Sequence, residues 1–194
     1  MKNYKSKVSQ SVIIFALMMA TTSCLNSNPA DSKEVAKDIN NKKFEDKDKE
    51  IDAKFLVDAA EICMEEINLG RLAQQKLSID CVRETGKLME SEHTKSLNEL
   101  TVLAQTKMIT VPTSETKDAI AANKKLNSKL GNDFGKAYII ILIREHKDAI
   151  DLFEKAATNG TDLEIKAWAK ATLPALKTHL ENVLQCQKVF DTMN

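Results

Sequence analysis

The sequence is short of the residues that make turns and sheets. Its 194 residues include only 5 Gly and 3 Pro, too few for many short strands joined by tight turns. Aromatics are sparse as well, with 6 Phe, 2 Tyr and 1 Trp. These shortages exclude a barrel, a sandwich, a Rossmann domain and a collagen-like chain. Neither sign of charge is in excess, since 28 Lys and Arg balance 28 Asp and Glu. No net basic charge draws the chain to nucleic acid, so that partner is not expected. No Gly-rich phosphate loop, nucleophile elbow or His-Glu-x-x-His is present, so no reaction is assigned and a non-enzymatic role is expected. Ala, Leu, Ile, Lys and Glu are what remains in abundance, and they are helix formers. The expected class is all-α, with one core-bearing domain.

The first fifty residues read as an address and a tether. Lys2, Lys5 and Lys7 precede an apolar stretch from Ser11 to Ala20. That stretch is shorter than the ~20 apolar residues a membrane span needs. A basic segment followed by a short apolar one is a secretory signal, here residues 1–23. It ends at Thr21-Thr22-Ser23-Cys24, which resembles the lipobox of bacterial lipoproteins, with Thr21 where Leu or Val is usual. The resemblance implies that Cys24 is lipidated and becomes the new N-terminus. The alternative is an ordinary signal peptide, with Cys24 lost or free. Several acyl chains would give stable anchoring in the bacterial cell envelope, with the domain facing the periplasm or the cell surface. The leader holds three Lys and no acid, so its removal turns a neutral chain into one of net charge −3. Residues 24–50 carry one aromatic, Phe44, among many charged and small polar residues. Such a segment buries too little surface to order itself and is expected to be a flexible charged tether.

Helical periodicity takes over in residues 51–194. Phe55, Ala59, Ile62, Glu66, Leu69 and Ala73 recur at steps of three and four, predicting a helix over 52–76. A second helix is predicted over 79–108 with Ser78 as its cap, and Val82, Gly86, Met89, His93, Leu97 and Leu100 on its stripe. Pro112 breaks the pattern, and a short polar helix follows over 114–130. A third long helix is predicted over 134–157, capped by Asp133. Asn159-Gly160 makes a turn, and Thr161-x-x-Glu164 reads as a capping box for a last helix reaching Thr192. Pro174 lies inside that helix, where it should kink or split it. Four long helices and a 25-residue connection between the second and third predict a four-helix bundle with a long crossover, the ferritin-like arrangement. A plain up-down-up-down bundle is the alternative.

Four segments carry a family resemblance: DAKFLVDAAEICMEEINLGRLA at 52–73, SEHTKSLNEL at 91–100, FGKAYIIILIREHKDAIDLFEKAA at 134–157 and LEIKAWAKATLPALKTHLENV at 163–183. Together they resemble the domain-of-unknown-function 4142 family over roughly residues 52–185. The resemblance implies an exported, ferritin-like helical bundle without an assigned activity.

The three His of the chain, His93, His146 and His179, fall on three different long helices, and Glu66 falls on the fourth. Each sits on an apolar stripe, so each helix turns one polar residue inward. A rise of about 1.5 Å per residue puts Glu66, His93 and His146 roughly 16, 22 and 18 Å from one end of the bundle, and His179 roughly 10 Å. A transition-metal site of Glu66, His93, His146 and His179 is one reading, since imidazole and carboxylate suit zinc, iron, copper or manganese. Glu90-x-x-His93 resembles half of a di-iron motif. The second half is missing, and the third long helix offers only Glu145, on a face shared with Ile141 and Leu152. The alternative is a buried polar layer in which Glu66 accepts hydrogen bonds from one or two His, with Tyr138 nearby.

Cys63, Cys81 and Cys186 have no metal-knuckle spacing. Cys81 and Cys186 fall near the same end of a ferritin-like bundle, where they can form a disulfide. Three reduced, buried Cys is the alternative. The functional expectation is therefore a lipid-anchored periplasmic binding or structural module, or else a metal-binding or redox protein using the His and Glu layer. A protein partner or a second copy is not readable from the sequence.

Overall fold

The computed structural model describes residues 30–193, so the leader and Cys24 lie outside the described residues. Six helices are present: α1 Ser32–Lys43, α2 Lys47–Gln75, α3 Asp80–Thr106, α4 Lys117–Asn127, α5 Gly131–Asn159 and α6 Leu163–Thr192. No strand occurs among the described residues. The all-α class is therefore as the composition implies.

The four long helices run in directions set by contacts at their ends. At one end a Cβ on Gly135 of α5 would lie within 3.2 Å of Ser78, Val82 and Phe190. The starts of α3 and α5 and the end of α6 therefore meet there. Cys81 and Cys186 are joined by a disulfide at the same end, with a Cα–Cα distance of 5.7 Å. At the other end Asp52 of α2 accepts hydrogen bonds from the backbone N–H of Thr161 (3.0 Å) and Asp162 (2.7 Å). Lys107, just past α3, pairs with Asp162 at 2.7 Å there. Helices α2 and α6 thus run one way, and α3 and α5 the other. The connection from Lys107 to Leu130 travels the length of the molecule and carries α4.

The core has two apolar halves. One contains Phe55, Leu56, Leu100, Phe153 and Ile165. The other contains Leu69, Met89, Phe134, Leu142 and Val183. Glu66, His93, His146 and His179 each fall, along their own helix, between residues of the two sets.

Several local features differ from the sequence expectations. Ser32–Lys43, expected within a flexible tether, forms α1 and docks on the rest. Its hold is mostly polar, which a reading based on apolar burial misses. Asn40 is buried and exchanges two hydrogen bonds with the backbone of Thr110, at 2.7 and 2.8 Å. Lys33 reaches Asp58 at 2.8 Å and also pairs with Glu61. Asp162, not Thr161, caps α6, accepting from the N–H of Glu164 and Ile165. The Thr161 hydroxyl is taken by Asp52 at 2.6 Å. Ile79 stands at the α3 cap position without a side-chain bond, leaving Ser78 Oγ buried and unpartnered. Helix α5 opens at Gly131, three residues before the predicted start and in the left-handed region at φ 51°. Helix α6 continues through Pro174, so the chain is not split there.

Candidate metal centre

Each side chain of the layer is delivered by a different long helix: Glu66 by α2, His93 by α3, His146 by α5 and His179 by α6. Amphipathic packing explains this, because each lies on the buried stripe of its helix. Their exposures are 1%, 3%, 1% and 6%. The three imidazoles form a near-equilateral triangle, with ring centroids 5.6 Å (His93 to His146), 5.5 Å (His93 to His179) and 5.6 Å (His146 to His179) apart. One ring nitrogen from each lies within 4.8 Å of the other two.

The hydrogen-bond inventory of the layer is incomplete. His146 Nδ1 is 3.0 Å from the Leu142 carbonyl oxygen, one helical turn back. A proton on Nδ1 is donated there, which leaves Nε2 with its lone pair. Both ring nitrogens of His93, Nε2 of His146, Nδ1 of His179 and both oxygens of Glu66 are buried without a hydrogen-bond partner in the protein. A buried polar atom left unpaired costs roughly 1–3 kcal/mol. The alternative of a polar layer satisfied within itself is thus met only in part, by Glu66 Oε1 at 3.2 Å from His146 Nδ1.

Electrostatics separates the three His. Burial, then repulsion from His146 and His179, holds His93 well below the usual imidazole range. Burial, then His146, brings His179 down to about 4. Burial also acts to lower His146, but the Glu66 carboxylate and the Leu142 carbonyl outweigh it and raise the group. Glu66 Oε1 lies 3.2 Å from His146 Nδ1. His93 and His179 are neutral at pH 7 and present lone pairs.

Not every expected ligand joins the cluster. Glu66 stands beside His146 rather than among the converging nitrogens. Glu90 turns away, accepting from Arg71 Nε and Gln74 Nε2, both at 2.7 Å, so Glu90-x-x-His93 is not a paired motif in space. Glu145 pairs with Arg144 at 2.9 Å, while its Oε2 is buried and unpartnered. Burial and the nearby Glu66 and Glu65 push its carboxyl up to about 9. Tyr138, fully buried with an unpartnered hydroxyl, is raised well above the usual phenol range by burial and by the same Glu66 and Glu145. Cys63 is a free, buried thiol, pushed up to about 12 chiefly by burial.

An open cavity of about 260 Å³ lies between α3 and α6, and His93 and His179 form part of its wall. Ser96, Glu99, Trp168 and Thr172 line it as well. Helical periodicity holds no signal for such a gap, because it depends on the spacing between helices.

The donor set can be tested against a metal. A tetrahedral ion bound at about 2.0–2.1 Å by each imidazole would hold the nitrogens about 3.4 Å apart. Those of His93, His146 and His179 lie within 4.8 Å, up to about 1.4 Å wider than that spacing. The Leu142 carbonyl already fixes the tautomer of His146, the usual duty of a group behind a metal-binding imidazole. The residues fit a transition-metal ion.

No helix among the described residues is long and apolar enough to cross a membrane. No curated protein and no solved structure matches the chain. The sequence model of one family does match, over residues 40–186, and the chain accordingly belongs to the family described as domain of unknown function DUF4142.

Proposed function

We propose that this protein binds one divalent transition-metal ion through His93, His146 and His179. The observation that carries the reading is the triangle of buried imidazoles, one nitrogen of each within 4.8 Å of the other two, in a layer where both nitrogens of His93, Nε2 of His146 and Nδ1 of His179 have no hydrogen-bond partner in the protein. Neutral imidazole suits zinc, copper, iron or nickel. Glu66 acts behind His146, raising its basicity and offsetting part of the ion's charge. A di-iron oxidase is disfavoured, because neither Glu90 nor Glu145 reaches the cluster. The role is binding rather than catalysis, and the centre is read as a metal-holding module.

We read the fold as a ferritin-like four-helix bundle, on the strength of the helix directions and the long crossover between α3 and α5. We place the protein in a bacterial cell envelope, held to a membrane by lipid on Cys24. Support for this comes from the basic, apolar and small-residue order of residues 1–24 and from the Cys81–Cys186 disulfide, since disulfides persist in oxidising compartments.

The test is elemental mass spectrometry on the purified processed protein and on a His93→Ala, His179→Ala variant of the same helicity. Near-stoichiometric metal in the parent and none in the variant supports the reading and names the ion. No metal in the parent, even after reconstitution with zinc, copper, iron and nickel in turn, overturns it and leaves the layer as a structural device. Acyl labelling that persists in Cys24→Ala would overturn the anchor.

A further inference from the structure

The cavity between α3 and α6 reaches two of the three imidazoles, His93 and His179, and does not reach His146. An ion at the centre of the triangle would therefore be walled by α2 and α5 on one side and open on the other. Three imidazoles complete only three of the four positions of a tetrahedral ion. Sites of this kind, with three protein ligands and one free position, accept an outside ligand. At about 260 Å³ the cavity far exceeds the roughly 10–15 Å³ that one water needs.

We infer that this cavity delivers a small monoanion to the fourth position of the ion, a reading that rests on the metal proposal above. Charge balance selects the class of ligand. A divalent ion brings two positive charges, and three neutral imidazoles remove none. Glu66, 3.2 Å from His146 Nδ1, supplies one negative charge, and Glu145, paired with Arg144 at 2.9 Å, adds no net charge. A single positive charge is left in a layer enclosed by two apolar core halves, where an uncompensated charge is costly. One monoanion makes the site neutral, and a neutral ligand does not. Glu92 and Glu99 sit with Lys95 on the wall of this open cavity. Groups at such a mouth are screened by salt, whereas the charge inside is screened much less.

The experiment uses the cobalt-loaded processed protein, azide as the probe, and visible absorption as the readout. Azide is expected to change the cobalt bands saturably, and to bind more tightly than the neutral ligand imidazole. Ala175→Trp and Ser96→Trp fill the cavity from opposite walls, on α6 and α3. Each is expected to weaken azide at least about tenfold while cobalt content and helicity stay at parent levels. Glu66→Gln leaves the site one charge more positive and is expected to tighten azide by roughly tenfold. Cobalt bound but silent to azide overturns the inference and leaves the metal reading standing. So do plugged variants that respond as the parent does, or imidazole binding more tightly than azide. A parent that takes up no cobalt overturns both.

Discussion

Glu66 Oε1 stands 3.2 Å from His146 Nδ1, and both side chains are 1% exposed. A carboxylate so placed makes His146 the most basic of the three imidazoles and partly balances any cation the cluster holds. Glu66→Gln keeps the shape and removes the charge. It is expected to weaken metal binding by about 10–100-fold, as losses of such supporting groups do. Competition with a chromophoric chelator measures this, and unchanged affinity would show that Glu66 plays no part in the site.

Metal binding should appear as added stability. An ion at 100 times its dissociation constant adds about 2.7 kcal/mol if it binds only the folded chain. For a domain of this size that is a rise in Tm of roughly 5–10 °C. The rise should vanish on chelation and be absent in the His93→Ala, His179→Ala variant. A parent whose Tm ignores metal at every concentration would count against the site.

Glu145 makes the metal-free protein sensitive to alkali. Its folded pKa is raised to about 9 from the usual 4.5 by burial and by Glu66 and Glu65. The folded state therefore holds a proton that the unfolded state has lost. The contribution of Glu145 to stability is fully present below pH 4.5 and is lost as pH rises through about 9. Glu145→Gln, a mimic of the protonated acid, removes that dependence. The Tm of the variant relative to the parent should climb between pH 5 and 9, and a difference that is flat with pH would refute the assignment. His179 works in the opposite direction. Its pKa is lowered from 6.5 to about 4, so the parent loses stability as pH falls through that window, and His179→Gln should lose less.

Gly70 and Gly86 let α2 and α3 touch backbone to backbone. A Cβ on Gly86 would lie 2.7 Å from the Gly70 carbonyl oxygen, and one on Gly70 would lie 2.6 Å from the Gly86 oxygen. Neither neighbour is the end of a flexible side chain, so the helices themselves must part. Gly86→Ala is expected to cost about 1–3 kcal/mol in denaturant unfolding, despite the better helix propensity of Ala. A variant as stable as the parent would mean that the two helices can separate freely.

The Cys81–Cys186 bridge ties residues 105 apart in sequence. Closing so long a loop restricts the unfolded chain, and its removal is expected to cost about 2–5 kcal/mol. Cys81→Ser and Cys186→Ser, made together, should lower the denaturant midpoint by a similar amount to reduction of the parent. Further loss of stability when that variant is reduced would contradict a single bridge, because Cys63 is a free thiol.

Much of the fold was legible because helical periodicity is a local property. The stripes through Phe55, Val82, Phe134 and Ile165 mark the four long helices, and all four residues are buried. Element ends were harder to place. The α6 cap went to Asp162 because Asp52, more than a hundred residues earlier, claims the Thr161 hydroxyl. Helix α1 was missed because Asn40 and Lys33 hold it through polar contacts to residues distant in sequence.

By itself the sequence determined the all-helical class, the place of the long helices, and the inward placing of Glu66, His93, His146 and His179. A repeat of 3.6 residues decides which face is buried, and a rise of about 1.5 Å per residue decides depth along the axis. Neither gives the rotation of one helix against another, or the distance between them. Only the tertiary structure decided that His93, His146 and His179 converge while Glu66 stands behind His146 and Glu90 turns to Arg71. It also decided that Cys81 meets Cys186, and that a cavity opens on two of the imidazoles. The reason is physical: side-chain convergence depends on how helices distant in sequence pack, and that packing is a property of the whole core.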